Sequence, residues 1–316
     1  MEKAFDIINQ VLPILFLIAL GFWIRKKHFL SDKTINELRK IVLNLALPAV
    51  LFVSFLNMEL KKSYLLIFGL IFLLCIVLLL LGFLVKKLFK IEYDYFPYLT
   101  TGFEYGMLGI SLFGAAYGLD KIGFIAITAL GHEIFIWFIF VPLLLLKRDG
   151  AQKPKEILRS FISAPVVIAI LLSMLLNGLG FRDAFYQLPL SGALIPTFNF
   201  LGNLTVPLIL IIVGYGFVID RETLKDAFGV IAIRLSILLP MIFLINHFLI
   251  QEFLQLEPFF QIALFTLFIL PPPFIVALYA RTNLAPKEKQ YINNVLTIHT
   301  AISVGLFLIY FTMNPV

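Results

Sequence analysis

Apolar residues run along this chain in long, nearly unbroken stretches. Runs of spanning length fall at about 5–25, 36–56, 63–85, 95–118, 122–146, 157–179, 194–217, 226–250, 258–280 and 289–311. A helix rising 1.5 Å per residue needs roughly 20 apolar residues to cross about 30 Å of hydrocarbon. Transmembrane β-strands would instead show segments of about ten residues with alternating polarity. The run from Leu65 to Val85 is continuous and Leu-rich. The pattern predicts an all-α membrane protein with ten transmembrane helices.

Composition agrees. Of the 316 residues 61% are hydrophobic and 14% charged, against roughly 25% charged in soluble domains, too few to coat a water-facing surface of this size. A soluble globular protein is excluded. The first apolar run is followed by Trp23-Ile24-Arg25-Lys26-Lys27 where a secretory signal would need small residues, so it is expected to remain in the mature protein. The single Cys75 lies in an apolar run, which leaves no disulfide framework and no Cys-based metal site within one chain. No cofactor is expected.

The net charge of +6 would suggest a nucleic-acid partner if its sources were scattered. They are not. Connections after the odd-numbered segments hold 19 of the 25 Lys and Arg, among them Arg25, Lys26, Lys27, Arg39, Lys86, Lys147, Arg221 and Lys287. The other side carries only Lys3, Lys61, Lys62, Lys121 and Arg182, and Arg234 falls inside the eighth segment. By the positive-inside rule the rich side is cytoplasmic, so both termini are expected outside. The basic residues set topology, and no nucleic-acid partner is needed.

The stretch Asn44-Leu45-Ala46-Leu47-Pro48 returns as Asn203-Leu204-Thr205-Val206-Pro207, and Leu12-Pro13 is matched more loosely by Ala164-Pro165. The five-segment pattern recurs after about residue 150, dividing the chain into repeats of 1–150 and 151–316. Because five is odd, two sequential copies must insert in opposite orientations. Such inverted repeats are a recurrent secondary-transporter architecture, with the solute site near the midplane where the copies meet.

The fourth segment of each copy is irregular. The first has Gly102, Glu104, Tyr105, Gly106 and Gly109, and the second has Pro271, Pro272 and Pro273. Consecutive prolines remove donors and clash with the preceding turn, and glycines weaken a helix. Non-helical backbone at membrane depth is tolerated only where protein buries it or water reaches it. Two broken helices at matching places point to a binding site, although a packing notch explains small residues and kinks too. The candidate solute contacts are therefore Glu104, Tyr105, Gly106, Gly109, Pro271, Pro272 and Pro273, with Asn293 and Asn294 from the tenth segment. There Asn293, Thr297 and Thr300 share one face by i, i+4, i+7 spacing, which interhelical hydrogen bonding explains equally well.

Taken in order, Val11-Leu12-Pro13 with Leu20-Gly21, Ser31 to Pro48 running into Leu51-Phe52, Gly102 to Leu112 before Phe113-Gly114, and Pro207-Leu208 before Val213-Gly214-Tyr215 resemble the auxin efflux carrier family of membrane transporters across essentially the whole chain. The resemblance implies a five-plus-five inverted repeat in which helices four and nine unwind and cross at the solute site. It also implies a scaffold of helices 1, 2, 6 and 7, a mobile transport domain of helices 3–5 and 8–10, elevator movement, and a homodimer. Solutes of the family are mostly organic anions. Where the family commonly carries Asn in the fourth-helix crossover, this chain has Glu104.

That departure matters chemically. An unwound helix exposes N–H groups suited to a carboxylate, and a charged Glu104 about 5 Å from a bound anion would repel it by about 3 kcal/mol at an effective dielectric near 20. Protonation of Glu104, neutralisation by His132 or His299, or a cationic or neutral solute would each remove the conflict. Burial raises a carboxyl pKa, which favours protonation and makes Glu104, His132, Glu133 and His299 the candidate proton-coupling groups. Glu104 could instead brace helix packing. Arg234 is open among anion contact, ion pair and snorkelling. His132-Glu133 also raises an intramembrane metallohydrolase, but the second His of a zinc helix is due four residues after the first and position 136 is Ile. A sodium-coupled carrier of the bile-acid symporter type is the closer rival. The reading is a secondary carrier of a small organic anion, coupled to protons or sodium.

Overall fold

The computed structural model describes residues 2–58, 61–149, 162–217, 221–280 and 284–314, and among them it is helical with no strand. Helix occupies each of the ten apolar stretches. In chain order the helices are α1 (Glu2–Lys26), α2 (Asp32–Asn57), α3 (Tyr64–Leu88), α4 (Phe96–Leu99), α5 (Tyr105–Tyr117), α6 (Leu119–Arg148), α7 (Pro165–Gly178), α8 (Arg182–Gln187), α9 (Ser191–Tyr215), α10 (Leu224–Phe253), α11 (Pro258–Ile269), α12 (Ile275–Tyr279) and α13 (Pro286–Met313). Six of them, α2, α3, α6, α9, α10 and α13, are long and apolar enough to cross a membrane.

Local irregularities follow the prolines. Pro48 has no N–H to offer Asn44, and the turn ahead of it widens: across Val42–Ala46 the Leu47 N–H reaches back five residues to Val42 O. Pro142 has the same effect in α6, where the turn Ile136–Phe140 ends with the Val141 N–H on Ile136 O. In α9 the helix pauses at Leu204, three residues before Pro207. Asn44 and Asn203 do not share a role. Asn44 Nδ2 donates to Lys40 O at 2.8 Å within its own helix, whereas Asn203 lines a cavity of about 380 Å³ together with Ser54, Asn57 and Asp120.

Packing pairs α1 with α9 and α7 with α2. The first contact is close because it is made through glycines: a Cβ on Gly21 would collide with the backbone of Ile211, and one on Gly214 with that of Ile18. The second is pinned by Asn177, whose Nδ2 donates to Phe55 O at 2.8 Å and Met58 O at 2.5 Å. Elsewhere α3 lies along α6, where Gly131 meets the Phe68 carbonyl, α11 packs on α6, and α10 packs on α13.

Polar ties at the basic end fall into two sets. In one, Arg25 Nη1 donates to Tyr215 O at 2.9 Å and the Tyr215 hydroxyl to Asp32 Oδ1 at 2.7 Å, joining α1, α9 and the start of α2. In the other, Asp94 accepts from Lys86 at 2.7 Å and faces Lys147 at 3.4 Å. The Tyr93 hydroxyl bonds Asp226 at 2.5 Å, the Tyr95 N–H bonds Glu288 at 2.8 Å, and Lys287 pairs with Glu92 at 3.7 Å. This second set joins α3, α6, α10, α13 and the segment before α4. The Lys86 ammonium, with Lys147 behind it, holds the Asp94 carboxyl below its ordinary range. Burial and the bond to Asp226 push the Tyr93 phenol up.

Candidate functional site

The two irregular segments are broken where the sequence predicts. Helix stops after Leu99 and resumes at Tyr105, and it stops after Ile269 and resumes at Ile275. The breaks touch: the Glu104 N–H donates to Pro271 O at 2.8 Å. Gly102 makes the approach possible. Its φ of +72° is one that side-chain-bearing residues rarely adopt, and a Cβ there would lie 2.8 Å from Pro273 Cγ. Gly109 packs against Leu270, to whose Cδ1 a Cβ would come within 2.8 Å, whereas a Cβ on Gly106 would meet nothing within 4 Å.

Broken helices leave backbone groups without helical partners, and two buried charges satisfy them. The Glu104 carboxylate, in a residue only 8% exposed, accepts the Met107 N–H at 3.2 Å and the Phe274 N–H at 2.6 Å. It thus holds N–H groups from both resuming segments. Arg234, 2% exposed, reaches the other ends. Its Nη2 donates to Gly102 O and, at 3.3 Å, to Leu270 O, and its guanidinium lies 5.0 Å from the centre of the Phe103 ring. Nε and Nη1 of Arg234 have no hydrogen-bond partner. An isolated buried cation is costly. Here the carbonyl ends of the breaks and an aromatic face replace a carboxylate partner. Arg234 is therefore neither snorkelling nor paired with an acid among the described residues.

The histidines divide. The Phe103 N–H, inside the first break, donates to His132 Nε2 at 2.9 Å. That bond leaves the proton of a neutral ring on Nδ1, which lies 3.3 Å from Glu133 Oε1. His299 is fully buried with neither ring nitrogen bonded. One residue-turn further on, Ser303 donates to Ile269 O at 2.5 Å and ties α13 to the end of α11. His247 is exposed and faces Glu252 at 3.3 Å.

A cavity of about 480 Å³ lies against the crossing. Met107 and Phe274 form one wall, and α13 presents Asn293, Thr297 and Thr300, the face expected from their spacing. The lining also includes Arg25 from α1, Arg39 from α2, and Ile212, Val213, Gly216 and Phe217 from α9 and its end. Arg39 Nε is buried without a hydrogen-bond partner, and Nη1 has only a 3.4 Å contact with Asn36. Of the residues singled out from sequence, Asn293 lines this cavity while Glu104, Gly106, Gly109 and Pro271 to Pro273 form the crossing behind it. Asn294 turns away and donates to Thr223 Oγ1 at 2.8 Å. The Tyr105 ring is buried, its hydroxyl without a hydrogen-bond partner. The two arginines were read from sequence only as topology-setting charges, and no local motif marks them as cavity residues.

A cavity lined by guanidinium, amide and hydroxyl groups, set against two interrupted helices in an all-helical apolar chain, is the setting of a solute carrier. The model of the membrane transport protein family matches residues 6–311. The chain belongs to the auxin efflux carrier family. An uncharacterized transporter of Methanocaldococcus jannaschii is 26% identical over 223 residues, covering 65% of this chain and 67% of the relative. As a member of this family the chain is an integral membrane protein, and the family model and this relative point to a transporter rather than to the metallohydrolase.

Proposed function

We propose that the chain is a secondary active transporter of a small organic anion, a carboxylate, that binds in the cavity beside the crossing and moves by an elevator-type alternation. One observation carries this reading: Arg25 and Arg39 line, together with Met107 and Phe274, a cavity of about 480 Å³ whose lining includes no carboxylate among the described residues. Two guanidinium groups in a low-dielectric cleft attract an anion strongly, and the amide and hydroxyls of α13 supply orienting donors.

The packing supports the ten-crossing, five-plus-five architecture. In it α1 and α2 correspond to α7 and α9, and the contacts are reciprocal: α1 packs on α9 and α7 on α2. The division into scaffold (α1, α2, α7, α9) and transport domain (α3–α6, α10–α13) is supported by the polar ties, which join members of one group or of the other. With the basic end cytoplasmic and both termini outside, a cavity reaching Arg25 and Phe217 opens inward. Dimerisation belongs to the same reading, through the scaffold. Glu104 is the coupling group, taking up a proton when the anion binds, with His132, Glu133 and His299 as neighbouring titratable groups.

The test is reconstitution in liposomes with a panel of organic acids and amino acids under imposed proton or sodium gradients. Saturable uptake of a carboxylate driven by a proton gradient is the expected result. A dependence on sodium instead would favour the bile-acid symporter type of coupling, and uptake of cationic or neutral solutes alone would end the anion reading.

A further inference from the structure

We propose that the Glu104 carboxylate is the resident occupant of the anion seat at the crossing, and that a transported carboxylate binds by displacing it. The inference rests on the carrier reading above and adds how the site is kept when empty. The seat is the pair of N–H groups of Met107 and Phe274, which hold Glu104 at 3.2 and 2.6 Å. Both residues line the cavity while Glu104 lies behind them, 8% exposed. A solute at that wall reaches the two donors once Glu104 gives them up. Beside them is vacant space, because a Cβ at Gly106 would touch nothing within 4 Å.

Two carboxylates cannot share those donors. At about 5 Å and an effective dielectric near 20, their repulsion would weaken binding about a hundredfold. The charged groups acting on Glu104 are Glu133 from α6, which adds to the repulsion, and Arg39 from α2, which relieves it. Arg234 faces the carbonyl side of the same breaks, and His132 accepts the Phe103 N–H. A proton from the aqueous cavity removes the conflict. Glu104 takes it up and leaves the seat as the neutral acid, while the solute arrives as the anion and accepts the two N–H bonds. On release the proton departs and Glu104 returns. One proton accompanies each solute carboxylate, and the seat carries one negative charge whether empty or loaded. The empty carrier therefore needs no counter-solute to complete its cycle.

Acetate is the probe. In the purified full chain, Glu104→Ala vacates the seat, and sodium acetate in place of sodium chloride at equal ionic strength should raise its Tm by about 2 °C. The wild type, whose seat is filled, should not respond. An Ala variant without an acetate-specific shift, or a wild type with the same shift, overturns the proposal. Glu104→Gln, which keeps the shape but cannot exchange a proton, gives a second reading in liposomes. It should lose the pH dependence of uptake of whichever acid the wild type carries. Unchanged pH dependence overturns displacement and leaves the carrier reading intact. An acetate shift in the Ala variant with no acid carried by the wild type supports the seat and removes the carrier reading.

Discussion

Glu104 and Arg234 grip the same two chain breaks from opposite polarities. Glu104 accepts N–H groups where helix resumes, and Arg234 donates to carbonyls where helix has ended. Neither is the other's ion-pair partner. Each compensates the charge that broken peptide order exposes on its own side of the crossing, so both charges can be buried without a conventional salt bridge.

Removing Arg234 should be destabilising even though it removes a buried charge. Arg234→Met leaves the Gly102 and Leu270 carbonyls buried and unpaired, at about 1–3 kcal/mol each, partly offset by the desolvation no longer required. A net loss of about 2 kcal/mol is expected in denaturant or thermal unfolding in detergent. Arg234→Lys, which keeps a charge but not the fork, should fall between. A Met variant as stable as the wild type would show that those carbonyls find other donors.

Gly102 and Gly106, four residues apart, should behave in opposite ways. Gly102→Ala forces a side chain into φ +72° and against Pro273, at about 1–2 kcal/mol before any clash. Gly106→Ala meets open space and gains about 0.5–1 kcal/mol of helix propensity. Stability should fall in the first and hold or rise in the second. If Gly106→Ala nonetheless slows uptake, the vacant volume is used by solute or by Glu104.

Arg39→Gln should weaken the carried anion about tenfold in KM, or about 1.4 kcal/mol, with little change in Tm, because its Nε has no hydrogen-bond partner and its Nη1 has a long, exposed contact with Asn36 at 3.4 Å. The residual salt dependence of KM should be shallower than in the wild type. Arg25→Gln should lose stability as well, since Arg25 ties α1 to Tyr215. Equal effects of the two substitutions on Tm would place Arg39 among structural ties.

Acid should loosen the basic end through Asp94. Its carboxyl is held below the ordinary value of 3.8 by Lys86 and Lys147, so the folded state favours the ionised form. That contribution is complete above the unfolded pKa and fades as pH falls through the lower, folded one. Plotted against pH, the Tm of Asp94→Asn should lie below that of the wild type at neutral pH, and the curves should converge below about pH 4. Parallel curves would show that the charge of Asp94 is not what stabilises the cluster.

The helices and both breaks were legible in the sequence because their causes are local. Runs of Leu and Ile mark the helical stretches, and Pro271 to Pro273 lack the donors a helix needs. The cavity face of α13 was legible in the spacing of Asn293, Thr297 and Thr300. What joins the breaks was not. Glu104 meets Phe274 across 170 positions and Arg234 meets Gly102 across 132, and no short pattern encodes such pairings. Asn294 illustrates the limit at close range: one position from Asn293, it points to Thr223 because successive helical residues face about 100° apart. In the sequence Arg39 is one basic residue among many that follow odd-numbered segments, and only the arrangement of α2 beside α9 brings it to a cavity.

Among the described residues, Arg25, Tyr215, Asp32 and Asn177 bond α1, α2, α7 and α9 to one another, while Lys86, Lys147, Asp94, Asp226 and Glu288 bond α3, α6, α10, α13 and the segment before α4. Directional bonds of this kind fix orientation within each set. If the carrier works by the alternation proposed above, a slip of one set past the other leaves every one of these bonds intact.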